Sequence, residues 1–239
     1  MSLFRKITDS LGITKKEIVA PTMDLTSLMP PVYDQGQLGS CSSMGIAAAY
    51  EFEMMKQKEA SFLPSRLFIY YNERSIEGDV DKDAGAFIHD GIKSIDTNGV
   101  CSEDTWPYDI EKFNVKPPDI AYSEGMRHTA VKCYSTDVDL DSIKDAIFSG
   151  YPVIVAINIY SNFDSDEAAN TGTIKMPDKN ETSEGGHCVL IVGYNDSKKQ
   201  LIMRNSWGNT WGNKGYFTLP YDYVDSDYMS DLWVIQVVV

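Results

Sequence analysis

The stretch Asp34-Gln35-Gly36-Gln37-Leu38-Gly39-Ser40-Cys41 is a tight, glycine-rich polar turn that ends on a cysteine, and that cysteine opens an alanine-rich run through Ile46-Ala47-Ala48-Ala49-Tyr50. The alanines favour a helix beginning at Ser40 or Cys41 and running to about Lys58. A thiol at that junction lies beside unpaired backbone N–H groups and the positive end of a helix dipole, both of which favour thiolate over thiol. This is a setting that makes a nucleophile. The competing reading is a buried cysteine that packs as a small hydrophobe.

The turn is approached along an extended arm, because Pro21, Pro30 and Pro31, and the residues before them, resist helix. Ahead of the arm, Leu3, Phe4, Ile7 and Leu11 recur at roughly helical spacing with Gly12 as a stop, which predicts a short amphipathic helix outside the main fold. After the cysteine helix, Pro64 marks the start of a second helix, with Leu67, Tyr70, Tyr71 and Arg74 on its inner side and Gly78 at its end. A third follows over 86–98, where Ile88, Ile92 and Ile95 keep helical spacing and Gly99 caps the end. The periodicity stops at Trp106-Pro107-Tyr108 and Pro117-Pro118, which reads as a surface crossing and a domain boundary. Beyond it lie one helix, 141–149 ended by Gly150, and four β-branched runs: 153–157, 189–192, 201–203 and 234–239. These predict strands of an antiparallel sheet or barrel. The segment 161–184 reads as a long, polar, irregular loop. The chain therefore divides into an N-terminal extension (1–20), a mainly helical part carrying the cysteine (21–122) and a mainly β part (123–239).

With 239 residues and 43% hydrophobic side chains, the chain can bury a full core. A formal net charge of -14 argues against nucleic acid or an anionic membrane as partner, since such surfaces are met with Lys and Arg. No apolar run reaches the length of a membrane span, and Met1 to Lys16 lack the apolar core of a signal peptide. The cysteines at 41, 101, 133 and 188 form no Cys-x-x-Cys pair and no cluster with metal-site spacing, so free thiols and neither metal nor cofactor are expected. Sequons at Asn180 and Asn195 have meaning only in a secreted chain.

Of the histidines at 89, 128 and 187, His89 falls among charged neighbours in a helical pattern and His128 lies in a region without a motif. His187 differs: it follows Gly185-Gly186, which permit close backbone approach, and it opens a strand that would hold its ring. A histidine held near a thiol can take its proton and return it to a leaving amine. Asn205, in Asn205-Ser206-Trp207-Gly208-Asn209-Thr210-Trp211-Gly212, can fix the imidazole by accepting from one ring N–H, and an indole such as Trp207 can keep water off that bond. Gln35 can aim an amide N–H at a developing oxyanion, with the Cys41 backbone N–H as second donor.

From about residue 24 onward, the chain resembles the papain-like cysteine peptidases, the papain and cathepsin family. The carriers are the Asp34–Cys41 turn, Gly186-His187-Cys188-Val189-Leu190-Ile191-Val192-Gly193-Tyr194, and Asn205–Gly212 with Gly215-Tyr216 after it. The order Cys, His, Asn matches, and His187 follows Cys41 by 146 residues. The resemblance implies an α+β fold of two domains, one helical and one an antiparallel β-barrel, with the cleft between them. It implies Cys41 as nucleophile, His187 as general acid/base, Asn205 as its orienter, Gln35 as oxyanion donor, and Trp207 over the Asn205–His187 bond. The implied reaction is endopeptidase hydrolysis of extended peptide substrates through a thioester acyl-enzyme, with Gly85, Gly186 and Trp207 lining the substrate site, by a monomer.

This sequence departs from the family at several points. Leu38 stands where the family usually has a disulfide-bonded cysteine, which suits a reducing, intracellular location. Ser42 stands where an aromatic residue, commonly Trp, is usual. Ala84-Gly85-Ala86 replaces the Gly-Gly pair that holds substrate backbone. Residues 1–20 are too few for the family's long helical propeptide, and the expectation is a short inhibitory segment or a plain tail. The rival readings are a catalytically silent peptide-binding module and a specialised deconjugating or peptide-trimming acyl-transfer enzyme.

Overall fold

The computed structural model describes residues 20–238, and the expected amphipathic helix over Leu3, Phe4, Ile7 and Leu11 lies outside the described residues. The first element, β1 (Thr22–Asp24), is part of the extended arm. The arm leads through the polar turn into helix α1 (Cys41–Gln57), which ends at Lys58 in the left-handed conformation (φ 60°). Every residue of α1 from Ser42 to Tyr50 is buried. Small side chains make that possible: a Cβ on Gly45 would stand 3.0 Å from Cys188 Sγ and 3.6 Å from Ile154.

Helix α2 (Arg66–Glu77) starts two residues later than a proline-first reading places it, because Ser65 is the cap and its Oγ accepts from Phe68 N–H at 3.2 Å. Gly78 (φ 80°) closes it as expected. Helix α3 (Ile88–Thr97) buries Ile88, Ile92 and Ile95, and the chain then turns at Gly99 (φ 67°). The short α4 (Asp119–Gly125) follows Pro117-Pro118. Trp106 and Tyr108 are half-buried, so the segment expected to cross the surface instead packs behind the Cys41 turn.

The remaining strands are β2 (Ala130–Thr136), β3 (Val153–Ile159), β4 (Gly185–Asn195), β5 (Gln200–Arg204), β6 (Tyr216–Pro220) and β7 (Met229–Val238), with α5 (Leu140–Phe148) between β2 and β3. All pair antiparallel in the order β2-β7-β3-β4-β5-β6, and β1 pairs with the far end of β4. Strand β4 is buried from His187 through Tyr194, so it reads in sequence as an unbroken apolar run. It packs against both α1 and α5. One core cluster joins α1 to the sheet, and each Leu, Ile or Val in it contributes about 1.5–3 kcal/mol of burial. The 161–184 segment is more ordered than its composition suggests. It forms a 3-10 turn (Ser161–Asp164) and α6 (Asp166–Thr171), anchored by buried Phe163, Ala168 and Ile174.

Candidate active site

Cys41 is the first residue of α1, and the turn before it is tied at several points. Gly39 N–H donates to both carboxylate oxygens of Asp83, at 3.0 and 3.1 Å, and the Tyr70 hydroxyl donates to the same carboxylate. Tyr108 Oη lies 2.6 Å from Ser40 Oγ and donates to the Gln35 carbonyl at 2.9 Å, so one phenol clamps both ends of the turn. The Cys41 sulfur receives backbone N–H groups from Cys188, Ser42 and Cys41 itself. The first of these comes from β4, so the residue beside His187 touches the sulfur at the seam between α1 and the sheet.

His187 is buried, and its Nε2 lies 2.8 Å from Asn205 Oδ1. Ser206 N–H donates to the same Oδ1 at 2.8 Å. An oxygen that accepts twice fixes the amide's orientation, so Nε2 carries the hydrogen and Nδ1 is the ring nitrogen left for the sulfur. The Trp207 ring stacks on the imidazole at 4.9 Å and 27°, and Trp211 meets Trp207 edge-on at 4.9 Å. Register places the histidine on a stiff element, with Ile157 of β3 opposite it.

Gln35 is held from both sides. Its Nε2 donates to the Leu38 carbonyl at 3.0 Å and its Oε1 accepts from Ser206 Oγ at 2.6 Å, while Gln35 N–H donates to the Ser206 carbonyl at 2.9 Å. One Nε2 hydrogen stays available for a ligand.

Burial dominates the electrostatics of the pair. It pushes the Cys41 thiol up against the three N–H groups that lower it, and it pushes His187 down to about 4 against the Asn205 bond that raises it. Both shifts favour the neutral forms, thiol and imidazole, with His187 buried and Cys41 half-buried. Helix dipole and N–H groups act as the sequence suggests; desolvation, which the sequence does not display, outweighs them.

The structure brings Cys41, His187, Asn205, Gln35 and Trp207 to one seam. Gly186 lies at its rim, exposed, and a Cβ there would meet nothing within 4 Å, so the glycines before His187 leave open the space a side chain would fill. Gly85 (φ 78°) sits beside the turn, 3.8 Å from the Gly39 carbonyl by its would-be Cβ, and its N–H is engaged by the Tyr70 hydroxyl. Ser206, Tyr108 and Asp83 complete the site without having been singled out in the sequence. Only Ser206 carried a signal, its place between Asn205 and Trp207.

A cysteine at a helix N-terminus beside the strand that carries an asparagine-bonded histidine is the arrangement of the class of cysteine peptidases. The family model described as papain family cysteine protease matches residues 20–230, and the chain belongs to that family. An uncharacterized peptidase C1-like protein of Acanthamoeba polyphaga mimivirus is 46% identical over 213 residues, covering 85% of this chain and 68% of that one. Cathepsin K of Mus musculus is 28% identical over 222 residues, 90% of this chain and 60% of its own. Among solved structures, xylellain, a cysteine protease from Xylella fastidiosa, matches with a TM-score of 0.86 at 39% identity, covering 94% of this chain and 90% of that one. Among the described residues no helix is long and apolar enough to cross a membrane.

Proposed function

We propose that this chain hydrolyses peptide bonds with Cys41 as nucleophile and His187 as acid and base. The observation that carries the reading is the His187 Nε2–Asn205 Oδ1 bond of 2.8 Å beneath the Trp207 ring, which leaves Nδ1 for the sulfur. Nδ1 takes the Cys41 proton as the sulfur attacks the scissile carbonyl carbon. The oxyanion is met by the second Gln35 Nε2 hydrogen and the Cys41 backbone N–H. Collapse expels the amine, which receives the proton from His187. A water, deprotonated by the same imidazole, then cleaves the thioester and frees the thiol. Proton transfer within the pair creates both charges at once, so each offsets the desolvation of the other.

An extended substrate lies along the seam between Gly85 and Gly186. Because Tyr70 engages the Gly85 N–H, Gly85 offers its carbonyl alone to substrate backbone. The four cysteines are free thiols, which suits action in reducing surroundings.

The test is cleavage of a broad peptide library under reducing conditions by the wild type and by Cys41→Ala. Cleavage that vanishes in the variant supports the reading. Absence of any Cys41-dependent cleavage would replace it with a peptide-binding module.

A further inference from the structure

Glu73 on α2 is fully buried, and the Ser42 hydroxyl donates to its Oε1 at 2.6 Å. Its Oε2 has no hydrogen-bond partner among the described residues. Helix α3 leaves room for it at Gly91, where a Cβ would stand 2.6 Å from Glu73 Oε2 and 2.2 Å from Ile46 Cδ1. Three helices thus build a niche for one carboxyl directly under the first turn of α1. Among the described residues no cation closes it: the guanidinium of Arg74, the next residue, is directed to the carbonyls of Tyr70, Val80, Lys82 and Phe113.

We propose that Glu73 is a positioning residue for the nucleophile: through its bond to Ser42 Oγ it locks the first turn of α1, whose N–H groups at Cys41 and Ser42 meet the Cys41 sulfur. The inference rests on Cys41 being the nucleophile. Where the related peptidases fill the space behind the nucleophile with an aromatic ring, this chain places a small serine and ties it down with a buried acid. The acid must also be uncharged, because a carboxylate at that spot opposes a thiolate in a low-dielectric site. Burial holds Glu73 well above the usual carboxylate range, with Cys41 and Glu77 acting in the same direction and Ser42 and Arg74 opposing; Cys188 of β4 also faces it.

The experiment compares full-length wild type, Glu73→Met, Glu73→Gln and Cys41→Ala. It measures the iodoacetamide alkylation rate of Cys41 per folded molecule across the pH range, and kcat and KM on a cleaved peptide. Glu73→Met, which keeps bulk and loses the bond, is expected to lower alkylation and kcat about tenfold with KM nearly unchanged. Glu73→Gln, whose amide oxygen accepts from Ser42, is expected to restore both. Should Glu73→Met fail to fold, Ser42→Ala removes the same bond and must show the same split between kcat and KM. Variants that lose thermal stability while keeping wild-type alkylation and kcat overturn the positioning role alone. Cleavage that survives Cys41→Ala overturns the nucleophile assignment and this inference with it.

Discussion

Gln35 and His187 owe their chemistry to neighbours that bind them more than to their own side chains. Ser206 Oγ and the Leu38 carbonyl hold the Gln35 amide from opposite ends, so its free N–H points one way before substrate arrives. Gln35→Ala is therefore expected to lower kcat by about 10²–10³ with little change in KM, since an oxyanion donor acts in the transition state. Ser206→Ala should lose activity in the same direction but less, because the Leu38 bond remains. Steady-state kinetics on one peptide decide both. The histidine sets the acid side of the pH profile. Burial depresses it to about 4, and below that the ring holds its own proton and cannot take the thiol's. The kcat/KM profile should fall as pH drops through about 4. Asn205 is the group that raises the imidazole, so in Asn205→Ala the surviving activity should fall away at lower pH. An acid limb near the ordinary histidine value of 6.5 would show that the pair is not buried in solution.

Helix ends show where local sequence suffices and where it does not. Gly99 was legible as a stop, yet its cost of replacement comes from a neighbour that was not: a Cβ there would stand 1.7 Å from the Gly125 carbonyl oxygen at the end of α4. Gly99→Ala should cost more than about 3 kcal/mol, whereas Gly36→Ala, with φ 62° but nothing within 4 Å, should cost only about 1–2 kcal/mol of left-handed strain. Thermal unfolding of the two variants checks the ranking, and equal losses would mean that α4 does not dock there. The same division runs through the fold. Helix α1 shows in the sequence as an alanine-rich run, α2 and α3 carry their period and their glycine stops, and β3, β4, β5 and β7 announce themselves as apolar runs. Strand β2 does not, because Lys132, Ser135 and Thr136 give the end strand of the sheet a polar pattern. Strand β6 hides beside the Gly212–Gly215 turn, and α4 is too short for a period. At the site, Cys41, His187, Asn205 and Gln35 lie in compact motifs. Their supports are set by contacts between distant segments, Gln35 with Ser206, Ser40 with Tyr108, Ser42 with Glu73, and no local pattern encodes those.

Across the whole molecule, buried titratable groups set how stability follows pH, and they pull in opposite directions. His187, depressed to about 4 from 6.5, contributes stability that is present above 6.5 and lost as pH falls toward 4. Glu53 on α1 does the reverse. It is 1% exposed, its Oε1 lies 3.4 Å from Lys56 Nζ, and its Oε2 has no partner among the described residues. Burial raises it from 4.5 to about 7, with Lys56 opposing. Its contribution is therefore complete below 4.5 and lost as pH rises through 7, because the unfolded chain releases the proton first. Between these limits the two slopes oppose one another, and Glu73, also raised by burial, adds to the decline as pH rises. Glu53→Gln removes one slope. Compared in a Cys41→Ala background that prevents self-digestion, the glutamine variant should match its parent near pH 4 and gain steadily to pH 7. Above pH 7 the gain should hold constant. Loss of the partly exposed Lys56 pair takes back about 1 kcal/mol at most, so a net gain of about 1–2 kcal/mol should appear as a rise of roughly 2–8 °C in Tm. A difference in Tm that is the same at pH 4 and pH 8 would show that Glu53 titrates in the folded protein as it does in the unfolded chain, so that the niche beside Lys56 stabilises its charge as well as water does.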